Sequence, residues 1–165
     1  MYKRQGLGLT GLKIQLAEGV KEYIIDDGAF SENQISELEL PEGVKYIEAF
    51  AFKDNQIGSL ELPKTLVKCG NESFAKNKIH SLTISPKVKL LQLDSFSFAY
   101  NEITELKLPY SVFKLLQNVF YKQNIGENKV QISTRNPKHL QASTYIAAKS
   151  DFHEIHLEAG SQALL

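Results

Sequence analysis

Apolar residues along this chain recur in short alternating steps. Leu38-Glu39-Leu40, Leu60-Glu61-Leu62, Leu82-Thr83-Ile84 and Leu106-Lys107-Leu108 each put two apolar side chains on one side and a polar one on the other. That alternation is the signature of a short strand with two inward residues. A proline closes the step at Pro41, Pro63 and Pro109, and one place late at Pro86. Proline lacks a ladder donor, so it ends the strand.

The steps belong to a larger repeat. Phe30, Phe52, Phe74, Phe98 and Phe120 are spaced by 22, 22, 24 and 22 residues. Three places after the first four stands an asparagine: Asn33, Asn55, Asn77 and Asn101. Five places on stands Ile35, Ile57, Ile79 or Ile103, and fourteen on Val44, Leu66, Val88 or Val112. Seventeen on come Ile47, Cys69, Leu91 and Leu115. Upstream, Ile14-Gln15-Leu16 through Val20 copies Leu38-Glu39-Leu40 through Val44. Downstream of Phe120 the pattern degrades, with Val130-Gln131-Ile132 delayed by two residues and Ile155-His156-Leu157 as a last echo. Residues 139–149 (HLQASTYIAAK) form the one stretch that reads as a helix.

A period of 22 residues is too short for an independent domain, so each unit buries its apolar set on the next. Stacked steps then pair as parallel strands. The expected fold is a single right-handed solenoid over 1–165. Its inner face carries a parallel sheet of six or seven short strands, and its outer side is irregular. Residues 1–11 form an irregular start, 12–121 hold the clean repeats, and 122–165 hold a degenerate repeat and a helix-containing cap. Atypical terminal units are expected, because one of their faces has no neighbour.

Composition narrows the function. Lys and Arg number 19, as do Asp and Glu, so the formal charge is zero and the basic excess of a nucleic-acid binder is missing. No apolar run approaches the roughly 18 residues of a membrane helix, so no membrane insertion is expected. One cysteine excludes an internal disulfide and any multi-thiolate metal site. No cofactor is implied.

The recurring polar and aromatic residues have structural readings. The asparagine column reads as a ladder that satisfies backbone groups of the neighbouring coil, and the phenylalanine column as a core spine. Cys69 occupies an apolar slot and reads as a small buried hydrophobe. Gly6-x-Gly8-x-x-Gly11 matches a dinucleotide fingerprint as a string, but the strand before it and the helix after it are missing. His153 and His156 lack the further ligands a zinc site needs, and His80 has no catalytic companion.

The polar residues flanking and splitting the Leu-x-Leu steps face away from the core. They define two rows, from which the candidate contact set is Glu37, Glu39, Ser59, Glu61, Ser81, Thr83, Glu105 and Lys107. Glu39 and Glu61 should lie about one strand spacing apart, near the separation of a retaining glycosidase pair. No third polar group accompanies them. The set contains no aromatic residue, and the whole chain has no Trp and only Arg4 and Arg135, so it is poor in the residue types that dominate tight interfaces.

The unit Ala51-Phe52-Lys53-Asp54-Asn55-Gln56-Ile57-Gly58-Ser59-Leu60-Glu61-Leu62-Pro63 resembles the BspA-like leucine-rich repeats of bacteria. The resemblance covers Ile14 to Tyr121 well and the last unit poorly. It implies a leucine-rich-repeat solenoid and a non-enzymatic protein–protein interaction module of a cell-surface or secreted protein, adhesion to host or neighbouring cells included. Its implied partner is a host or matrix protein, and the chain itself is expected to be a monomer. Members of that family usually carry more repeats and an export signal, so this chain is expected to be a piece of a longer protein. Other classes fit the same repeat: a structural spacer, an intracellular scaffold, or a solenoid carbohydrate-active enzyme using Glu39 and Glu61.

Overall fold

The computed structural model describes residues 6–125 and three further strand segments, 130–132, 141–142 and 156–157. It is a parallel-strand solenoid with two short strands per coil. The Leu-x-Leu steps form one column: β1 (Gly11–Lys13), β3 (Glu37–Glu39), β5 (Ser59–Leu62), β7 (Ser81–Ile84), β9 (Leu106–Leu108), β11 (Val130–Ile132) and β13 (His156–Leu157). Past the proline turn lies a second column: β2 (Tyr23–Ile25), β4 (Val44–Ile47), β6 (Lys68–Cys69), β8 (Leu91–Leu93), β10 (Val112–Leu115) and β12 (Gln141–Ala142).

The stacked parallel strands of the leucine-rich-repeat solenoid are therefore present, with a different division of labour between the two sides. The second column, expected to be irregular, is the continuous one, with β2 through β12 hydrogen-bonded as a six-stranded sheet. The Leu-x-Leu column is bonded in three groups, β1-β3, β5-β7 and β9-β11-β13. Stacking bridges its gaps: the Gln56 N–H donates to Ile35 C=O at 3.0 Å, and that of Glu102 to Ile79 C=O at 3.0 Å. The second strand was hidden because its Val-x-x-Ile spacing does not alternate with period two. In β4, Val44 and Ile47 are both buried with two residues between them.

Three register details also differ from the repeat arithmetic. Leu12, not Ile14, pairs with Leu38, and Tyr23, not Val20, pairs with Val44. In the 24-residue unit the partner of Cys69 is Leu93, not Leu91. Lys89 and Leu90 bulge out after Val88, which moves the column two places on. Within 139–149, Gln141–Ala142 is a strand paired to β10; the rest of the expected helix lies outside the described residues.

The core is a set of columns running through the stack. Phe52, Phe74, Phe98 and Phe120 are fully buried. With Phe30 they stack nearly parallel, with ring centroids 5.4, 5.2, 5.3 and 5.7 Å apart. The residues two before and two after each ring lie in the left-handed region: Phe50 and Asp54 at φ 58° and 55°, Glu72 and Lys76 at 50° and 56°. This conformation costs a non-glycine residue roughly 1 kcal/mol. Its effect is visible in the bonding. The N–H groups of Phe50, Phe52 and Asp54 all donate to the next coil, at Asn71, Ser73 and Ala75 C=O, over 2.9, 2.8 and 3.1 Å. The same three bonds recur from Glu72, Phe74 and Lys76 to Ser95, Ser97 and Ala99. The turn thus stacks on its neighbour like a strand.

Beside each ring sits an asparagine. Asn77 Oδ1 accepts the Ile57 N–H at 3.1 Å, while Nδ2 donates to Phe52 C=O at 2.9 Å and to Phe74 C=O at 3.2 Å. Asn55 and Asn101 repeat the arrangement one coil either side. Asn33 takes the Leu7 and Leu9 N–H groups instead.

Candidate interaction surface

The strand geometry decides which side chains face solvent on the Leu-x-Leu side. Inward residues such as Leu60, Leu62, Leu106 and Leu108 are buried. Glu37, Glu39, Ser59, Glu61, Ser81, Thr83, Glu105 and Lys107 are all exposed. Register places Ser59 beside Ser81 and Glu61 beside Thr83. Lys107 lies beside Gln131. Glu39 lies beside Lys13, which bonds it at 2.7 Å, and Glu105 bonds Lys107 at 3.2 Å. Glu39 and Glu61 stand on β3 and β5, which are neighbours in the stack without a shared ladder. Both border an open hollow of about 350 Å³ with Glu42, Leu38, Leu40 and Pro63. Glu42 is engaged there: its carboxylate accepts the Lys64 and Thr65 N–H groups at 3.3 Å and pairs with Lys64 Nζ at 3.3 Å.

The continuous sheet presents a different outer row. Ile24, Tyr46, Lys68 and Gln92 follow one another in register. Lys68 reaches Glu48 at 3.4 Å and Asp94 at 3.5 Å, so one ammonium ties together three successive coils. Partial burial works against its charge, but the two carboxylates outweigh that, and the ammonium is held above its ordinary range. Asp94 also accepts from Gln92 Nε2 at 2.6 Å. Directly beneath, Cys69 is fully buried, and desolvation together with Asp94 pushes its thiol far up. A nucleophilic role needs the opposite shift.

The turn flank carries aromatic residues that the strand rows lack. Tyr121 packs edge-on against Phe96 and Tyr100, with centroids 6.0 and 5.3 Å away. Lys122 lies over the Tyr100 ring at 5.6 Å.

The remaining sequence candidates fall as follows. Gly6 and Gly8 adopt φ of 60° and 70°, and the segment runs into β1, not into a helix. His80 is exposed, with Nδ1 3.4 Å from Lys78 C=O. The side chains of His153 and His156 lie outside the described residues. Among the described residues, no three His, Cys, Asp or Glu gather to hold a metal ion, and no helix is long and apolar enough to cross a membrane. Sequence reading missed Gln123. It occupies the asparagine slot after Phe120, accepts the Ile103 N–H at 3.1 Å and donates to Phe98 C=O at 2.7 Å. The signal was there, since Gln123 and Ile125 stand three and five places after Phe120.

No curated protein and no solved structure matches the chain. A family model for the BspA type leucine rich repeat region matches it in six copies over residues 23–145, from the first strand of the continuous sheet past the last. That span takes in the stacked phenylalanines, the side-chain ladder, the continuous sheet and β3 to β11 of the Leu-x-Leu column. The chain belongs to the BspA-type leucine-rich repeat family.

Proposed function

We propose that this chain is a non-enzymatic protein-interaction module of a bacterial cell-surface or secreted protein, and that it meets its partner through the strand rows. The family is one of repeat protein-interaction modules and is associated with surface and secreted bacterial proteins. One observation carries the assignment to the rows. All eight row positions are exposed while every packing duty falls on other columns, so the rows can vary without touching the core. The partner is a host or matrix protein, and adhesion is the role that such a stiff, extended surface serves. Short contacts of this polarity bind weakly one by one and gain from repetition along a longer array.

Binding of immobilised matrix and host-cell proteins by surface plasmon resonance tests this. Glu39→Lys combined with Glu61→Lys should leave the far-ultraviolet circular dichroism unchanged. It should change affinity for a partner severalfold, most strongly at low salt, where surface charges are least screened. Unchanged affinity for every partner bound by the parent chain would remove the rows from the site. Sugar release from polysaccharides that Glu39→Gln or Glu61→Gln abolishes would overturn the non-enzymatic reading.

A further inference from the structure

The one unit that breaks the 22-residue spacing builds a second hollow. In the regular coils the backbone passes straight from the proline turn into the continuous sheet, as where the Val67 N–H meets Lys45 C=O at 2.8 Å. In the next coil that bond is made by Gln92, whose N–H reaches Val67 C=O at 2.9 Å. Lys89 and Leu90, between the buried Val88 and Leu91, are pushed outward. Lys89 is exposed and Leu90 is 51% exposed. The bulge walls an open hollow of about 350 Å³ with Leu66, Val67 and Leu90 on its apolar side. Four lysines surround it: Lys45, Lys64, Lys87 and Lys89. Lys45 and Lys64 hold Glu22 and Glu42 in exposed ion pairs. Lys87 and Lys89 have no ion-pair partner among the described residues.

Stacking does not require this bulge, because the other units close without it. An exposed leucine beside two lysines without ion-pair partners gains nothing from the fold. We infer that the hollow is a docking site for an acidic protein segment that carries an apolar side chain, the apolar group seated against Leu90 and its carboxylates meeting Lys87 and Lys89. Charge selects the sign of the partner, and the small apolar wall fits one or two side chains. A peptide suits the site better than an anionic membrane surface. Glu22 and Glu42, paired with the lining lysines Lys45 and Lys64, would repel a uniformly negative plane, whereas a peptide can place each charge individually.

This inference rests on the protein-interaction reading but not on the strand rows. The probe is a fluorescein-labelled peptide of about ten residues alternating glutamate and leucine, long enough to span a groove of this kind. Fluorescence anisotropy should show saturable binding that weakens as salt is raised. Lys87→Glu with Lys89→Glu should weaken it about tenfold or more, as reversal of charge contacts does. Lys107→Glu and the paired Glu39→Lys, Glu61→Lys variant should leave it within about twofold. A glutamate–serine peptide should bind several times more weakly. No binding by the parent chain, equal binding by the double reversal, or lysine-dependent recruitment to phosphatidylserine vesicles without peptide binding would each overturn the site. Should the reversal variant fail to fold, amide shift mapping on the parent chain decides. Perturbations gathered at 64–67 and 87–90 support the site, and perturbations elsewhere refute it. Loss of partner binding only in the Glu39, Glu61 variant would leave the strand-row reading standing by itself.

Discussion

At the scale of single residues, the side chain three places after each phenylalanine carries the most consequence for its size. Asn77 is 8% exposed; it accepts the Ile57 N–H and donates to two successive ring-bearing carbonyls, Phe52 and Phe74 C=O, which it shares with Asn55 and Asn101. Asn77→Ala should therefore cost about 1–3 kcal/mol, since the buried Ile57 N–H loses its partner while the two carbonyls keep their neighbouring asparagines; urea unfolding measures it. Gln123 does the same work with one more methylene, so the slot asks for a planar amide more than for asparagine itself. Not every polar residue in the stack is so engaged. Ser73 and Ser97 stand where Ala51 stands one coil earlier, and their buried hydroxyls have no hydrogen-bond partner. That is the small polar surplus a repeat tolerates when its shape is kept.

At the scale of elements, the two strand columns differ in what holds them. The Leu-x-Leu strands are pinned by inward leucines, and their ladder lapses twice. The second column is bonded throughout and reinforced on its outer row by Lys68 between Glu48 and Asp94. Because the folded-state pKa of Lys68 is raised, its ion pairs add stability that is fully present below the ordinary lysine pKa and is lost as pH rises through the higher folded value. Lys68→Met should lower stability near neutral pH by about 0.5 kcal/mol, a figure kept small by solvent screening of a half-exposed group. The difference from the parent chain should vanish above the folded pKa. Chemical denaturation from neutral pH upward through the folded pKa follows it, and a gap that widens as pH rises would contradict the assignment.

At the scale of the whole molecule, stability is a sum of coils and their interfaces. Removal of residues 53–74 joins Phe52 to Ala75 and restores every column, because the deleted length equals the 22-residue period. That protein should stay cooperatively folded, with a urea m-value reduced in proportion to the surface lost. Removal of residues 53–63, half a period, leaves the columns eleven places out of step, too far for the two-residue bulge of the 24-residue unit to absorb, and should abolish the transition. Circular dichroism at 218 nm, the usual strand band, reads both outcomes.

The same three scales separate what is written in the chain from what emerges on folding. The stack, the phenylalanine spine, the asparagine positions and the exposure of Glu39, Glu61 and their row neighbours were legible, because each depends on a residue type recurring at one period. The second strand column was not. Its Val44-x-x-Ile47 spacing lacks alternation, and its sheet exists only once coils lie against one another. The left-handed residues around each ring were equally hidden, since Phe50, Asp54 and Lys76 share no side-chain chemistry and are held by the neighbouring coil's carbonyls. The two extra residues of the 24-residue unit could be counted in the sequence. That they bulge outward, expose Leu90 and draw four lysines from three coils around one hollow was decided by stacking, which brings together residues far apart in the chain. Periodicity by itself determined what is buried; the packing of one coil on the next determined which of the remaining side chains meet.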